Sequence, residues 1–179
     1  MPTPTVVRRR RAIKAGMGLL VVSLIGAVVV RLYLLQSAPP SPEEVAGLTL
    51  QEAEILKMVN EERHRSGRKP LKFSARLAVV ARGHSYDMAM RHYLSHGSPE
   101  GTGPADRVKG VGIVYQALGE NIYMDDYREP NGLAARATQG WLKSATHRDT
   151  MLSDKFAETG VGVARAADGS FYVTQDFIH

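Results

Sequence analysis

From Ala15 to Val30 the chain runs sixteen residues without a charge, and after Arg31 the apolar run resumes through Leu32, Tyr33, Leu34 and Leu35. A bilayer span needs about 20 residues, so 15–35 reads as a single transmembrane helix, with Arg31 snorkelling and Tyr33 suited to the interface. The run is longer than the ~7–15 residue core of a signal peptide, and the nearest small-residue site, Gln36-Ser37-Ala38, is followed directly by Pro39. The expectation is an uncleaved signal anchor; cleavage would instead release a secreted domain. RRRRAIK at 8–14 places residues 1–14 inside as a basic cytoplasmic tail and everything after Leu35 outside. Residues 36–47, with Pro39, Pro40 and Pro42, read as a semi-extended linker. The folded domain is then 48–179.

This division explains the charge. The whole chain carries a formal +5, but six of its 23 basic residues and none of its 18 acidic ones lie in residues 1–38. The globular part is therefore close to neutral, and no basic excess remains on it to bind phosphates, so nucleic acid is not an expected partner. The chain has no cysteine, which excludes disulfides, thiolate zinc sites and cysteine nucleophiles.

Along the domain, Thr49 and Glu52 have the form of a capping box ahead of the Ile55, Leu56, Val59 stripe, so 50–65 reads as a helix. Leu71 to Phe73 is extended, and Ser74 reads as the cap of a long helix over 75–94 with His84 on its buried stripe. His84 is read as a core histidine satisfied by one hydrogen bond. His92 and His96 are four apart, but Gly97 looks like a helix stop, which argues against a two-ligand face there. A Gly- and Pro-rich loop leads to a short helical turn near Arg107, and Glu120 in GENI reads, on pattern alone, as a solvated loop acid. Leu133, Ala134, Ala137 and Trp141 give a further helix. Thr146 and Asp149 form a second capping-box pattern, which starts a short helix at His147 or Arg148 and favours a neutral imidazole at its positive end. Residues 161–163 and 171–177 alternate around Asp168-Gly169 as a β-hairpin. Helices around a few antiparallel strands make an α+β fold.

The pieces HSYDM at 84–88, SHGSP at 95–99, GENI at 119–122, WLKSATHRDTML at 141–152, and TGVGVA followed by YVTQDF resemble, in this order, the CAP superfamily of cysteine-rich secretory, antigen 5 and pathogenesis-related proteins. The match is to its cysteine-free bacterial branch of SCP-like extracellular proteins and covers about Leu50 to Phe177. The resemblance implies an α/β/α sandwich with a small central antiparallel sheet. It also implies a cleft lined by His96, Glu120 and His147. The chain departs from many members at Ser144, where they carry a glutamate three residues after the tryptophan.

Three functions are open to such a cleft. A non-catalytic binding module would hold zinc or another divalent cation, or a small ligand, on His96, His147 and Glu120, and meet an envelope, lipid or protein component. A metal-dependent hydrolase would use His96 and His147 as zinc ligands with Glu120 as base. A serine hydrolase would use Ser144, His147 and Glu120 as a triad, although no glycine elbow surrounds Ser144. The loss of an acid at Ser144 lowers the negative charge available to a cation, so any metal affinity is expected to be modest.

Overall fold

Thr49 opens the first helix as its sequence requires: its backbone N–H donates to Glu52 at 2.8 Å and its hydroxyl accepts from the Glu52 N–H at 3.3 Å. This helix, α1 (Leu50–Arg65), buries Ile55, Leu56 and Val59. The computed structural model describes residues 49–179. The expected tail, anchor and linker at 1–14, 15–35 and 36–47 lie outside them. No helix among the described residues is long and apolar enough to cross a membrane.

The order continues as β1 (Lys72–Phe73), α2 (Ala75–Arg91), α3 (Pro104–Gly110), β2 (Leu118–Asp125), α4 (Leu133–Lys143), α5 (Ala145–Met151), β3 (Glu158–Arg165) and β4 (Phe171–Ile178). The strands form one sheet in the order β1-β3-β4-β2. β4 is antiparallel to both β2 and β3, while β1 runs parallel to β3, so the sheet is mixed rather than wholly antiparallel. The reason is connection: β1 reaches β3 only through the whole intervening chain, and a parallel pair needs such a crossover.

Helices cover both faces. Val161, Val173 and Phe177 pack with α1, α4 and α5 in the larger core, while Ile178, Tyr172 and Ile122 face α2 and α3. The alternation in β4 therefore does not separate buried from wet residues. All eight residues from Phe171 to Ile178 are buried, because α2 covers the face that period-2 reading assigns to solvent. Helix α2 lies so close to β3 that a Cβ on Gly160 or Gly162 would fall 2.2–2.3 Å from its backbone. Buried Glu52 ties the layers together: it binds the Arg82 guanidinium at 2.6 and 2.8 Å and accepts from Val163 N–H at 3.3 Å.

Two boundaries move and one assignment changes. Helix α2 ends at Arg91, three residues early, where His92 turns left-handed at φ 52°. Helix α5 starts at Ala145, ahead of the Thr146-Asp149 pattern. Ser144, extended at φ −92° and ψ 121°, both closes α4 and opens α5, and its carbonyl accepts from Arg148 N–H at 2.9 Å. Asp149 is mostly exposed, beside Arg148, and does not cap the helix. Glu120 lies in strand β2, not in a loop.

Candidate functional site

Strand β2 is an edge strand, and successive residues on it face opposite sides of the sheet. Glu120 faces the α2–α3 side and Asn121 the α5 side. Each holds one histidine. Glu120 Oε1 accepts from Nδ1 of His96 at 2.7 Å, and Asn121 donates its amide to the backbone carbonyl of His147 at 2.9 Å. The two imidazoles thereby meet across the edge, with ring centroids 6.5 Å apart and planes tilted by 55°.

The surroundings fix each group differently. His96 sits on the loop after α2 with its side chain about half exposed, whereas the Glu120 side chain is 2% exposed. Glu120 Oε2 accepts from Arg107 Nη2 at 2.6 Å, and Arg107 Nη1 donates to the carbonyls of His96 and Thr102 at 3.0 Å each. Arg107 thus fastens the 96–102 loop to the strand. His147 lies in the first turn of α5, half-buried, and burial, reinforced by the neighbouring His96, lowers its pKa, so the neutral imidazole is favoured. The far end of α5 is clamped by buried Arg63, which donates to the carbonyls of Met151 at 2.7 Å and Ser153 at 2.9 Å.

Arg107 and Asp176 are the parts that sequence reading missed. Asp176 is Glu120's partner across the β2–β4 ladder, fully buried, and neither of its oxygens meets a hydrogen-bond donor among the described residues. Burial and the adjacent Glu120 charge raise its pKa well above the ordinary carboxylate value, against the opposing pull of Arg107. Like-charge crowding of this kind favours one neutral carboxyl group. Its signal in the sequence is slight: an acid on the supposedly wet side of a hairpin strand.

The expected site residues assemble in part. His96, Glu120 and His147 come together. Ser144 lies on the linker between α4 and α5, with no hydrogen bond from its hydroxyl to His147, and Glu120 serves His96 instead of His147. The order of contacts that a Ser144–His147–Glu120 triad requires is therefore not present. His84 is buried and bonds the Ser95 carbonyl through Nε2 at 2.9 Å, a structural histidine as its stripe position predicts.

For a metal, the donor set divides. With Nδ1–H given to Glu120, the neutral form of His96 would keep Nε2 as a lone-pair donor, the arrangement in which a carboxylate orients a ligating imidazole. His147 supplies a second neutral ring. A zinc ion about 2.0–2.1 Å from a nitrogen of each, at tetrahedral angles, would draw the rings closer than their present separation. Both oxygens of Glu120 are already engaged, and among the described residues no group of three or more His, Asp or Glu is placed to hold a metal ion.

The layered fold is that of one family, and the chain belongs to it: the profile of the cysteine-rich secretory protein (CAP) family matches residues 56–177. Among its relatives in Bacillus subtilis (strain 168) are "Uncharacterized protein YkwD", 34% identical over 79% of this chain and 50% of that one, and "Uncharacterized membrane protein YlbC", 37% identical over 73% and 35%. The chain thus spans half or less of these relatives' length. An extracellular protein containing an SCP domain from Bacillus anthracis str. Ames is 32% identical, with a TM-score of 0.63 over 82% of this chain and 49% of that one. An outer surface protein from Borrelia burgdorferi is 16% identical and has a TM-score of 0.64 over 72% and 91%, a likeness of fold alone.

Proposed function

We propose that this protein is an extracytoplasmic binding module, tethered to the membrane through residues 15–35, whose cleft holds a divalent cation or a small ligand on His96 and His147. The observation that carries the reading is the pair of imidazoles, brought to 6.5 Å by two adjacent residues of one strand, with no nucleophile among the described residues bonded to either. An extracellular SCP-domain protein and a protein named as a membrane protein among the relatives support the location. Glu120 acts as the partner that orients His96, and zinc, when bound, supplies a positive centre at which a carbonyl, carboxylate or phosphate group can dock. Two neutral ligands without a bound carboxylate make the affinity modest.

The test is calorimetric titration of the full chain in detergent micelles with zinc, repeated with His96→Ala and His147→Ala. Binding that is lost in both variants supports the cleft. Binding that survives both would sink it. Incubation with peptidoglycan and with casein addresses hydrolysis: the binding reading expects no turnover, and turnover abolished by chelator or by Ser144→Ala would replace it.

A further inference from the structure

Helix α2 is apolar on both sides. Leu77, Ala81 and Met88 are buried toward the sheet, and the opposite side carries Val79, Gly83, Tyr86 and Met90, whose i, i+4, i+7, i+11 spacing makes one stripe. Val79, Tyr86 and Met90 are 60%, 61% and 57% exposed, and a Cβ on Gly83 would meet nothing within 4 Å. A helix that covers a sheet ordinarily turns charged residues outward. Here the outward stripe carries none, and at Met90 it runs into an open pocket lined also by Arg128, Arg165 and Asp168. The point at which the chain enters the domain stands beside this stripe. Glu52, in the first turn of α1, binds Arg82 at 2.6 and 2.8 Å, and Arg82 lies between Val79 and Tyr86 on α2. Leu50, at the head of α1, is 86% exposed.

We propose that the outward stripe of α2, with Leu50, is a docking surface for the lipid bilayer. Val79, Tyr86 and Met90 enter the interfacial layer, where the tyrosine ring suits the boundary and its hydroxyl stays among the headgroups, and Arg128 and Arg165 meet lipid phosphates. The proposal rests on the membrane tether of the binding reading and is independent of any metal. The tether selects the bilayer as the occupant. Only residues 36–48 separate Leu35 from Thr49, a length of at most about 47 Å, so the domain is confined to a thin layer over the lipid. At the effective concentration that such a linker imposes, three inserted side chains suffice where a free protein would need more. Arg82 is paired with Glu52, and Arg91 with Glu100 and Asp87, so the apolar contact dominates and anionic lipid is not required. The loop that carries His96 follows the C-terminal end of α2, so docking also holds the cleft close to the lipid surface.

Because the chain has no cysteine, single nitroxide labels can be placed one at a time. The experiment is spin-label power saturation on the full chain in phosphatidylcholine nanodiscs, with Val79→Cys, Tyr86→Cys, Met90→Cys, Leu20→Cys and Asp149→Cys each labelled alone. Asp149 is the control, 79% exposed on α5 across the sheet from α2. The three stripe labels are expected to shift their ratio of oxygen to aqueous nickel-chelate accessibility toward that of Leu20, in the apolar segment, while Asp149 keeps the aqueous ratio. Stripe labels at the Asp149 ratio, with Leu20 in lipid, overturn the proposal and leave the tether standing. A Leu20 label at the aqueous ratio removes the tether and the proposal with it. Stripe labels shielded from both reagents and broadened by spin–spin coupling in discs that hold two copies show a second copy on the stripe, which also overturns it. Introducing Tyr86→Asp should return the labels at Val79 and Met90 to the aqueous ratio, and ratios that stay unchanged contradict the role of the stripe.

Discussion

Asn121 is fully buried, and its amide reaches the carbonyl of His147 at 2.9 Å, so a residue that touches no ligand sets where one half of the cleft stands. Replacing it by alanine removes the bond that ties the first turn of α5 to strand β2, which costs about 0.5–1.5 kcal/mol. Urea denaturation should show this loss, with a weaker zinc isotherm in the same variant. His84 offers a pH signature. Burial comes first among the causes that lower its pKa, with nearby Arg107 next. The unfolded chain therefore binds a proton near its ordinary pKa of about 6.5 while the fold resists one, and stability falls as pH drops below about 6.5. Denaturation midpoints measured from pH 7.5 downward should show that decline, and a His84→Gln variant, which can still donate to Ser95, should flatten it.

At the level of elements, the approach of α2 to β3 decides two glycines. A Cβ on Gly162 would lie 2.2 Å from Arg82 N, within helix backbone that cannot yield as a flexible side chain would, so Gly162→Ala is expected to destabilise by about 3 kcal/mol or more. Gly83, on the opposite side of α2, meets nothing within 4 Å, and Gly83→Ala should stabilise by about 0.5–1 kcal/mol through helix propensity alone. Guanidinium denaturation of the two variants side by side tests both signs. The same packing explains what local sequence pattern could reveal. The capping box at Thr49 and the turn at Gly169 are legible because each is complete within a few residues. The Thr146-Asp149 pattern misleads because Ser144, shared between two helices, takes the cap position first. Asp176 was hidden because only the topology shows that a helix lies over that face of β4.

At the scale of the whole domain, the family is readable from the order of five short motifs, and the nearness of His96 to Glu120 and to His147 agrees with that order. Arg107 is not, since its partners stand eleven residues back and thirteen on and no periodicity links them. The candidate site depends on one relation: a single edge strand holds the two imidazoles from opposite faces, with His96 Nδ1 turned to Glu120 and Nε2 turned away from it. The direct measurement is a long-range 1H–15N spectrum of the histidine-labelled full chain near pH 7.5, without and with zinc. Expected are a proton on His96 Nδ1, where Glu120 accepts it, a neutral His147, and zinc-induced shifts of His96 Nε2 and of one His147 ring nitrogen. A His96 protonated at Nε2, or zinc shifts confined to other histidines, would contradict it.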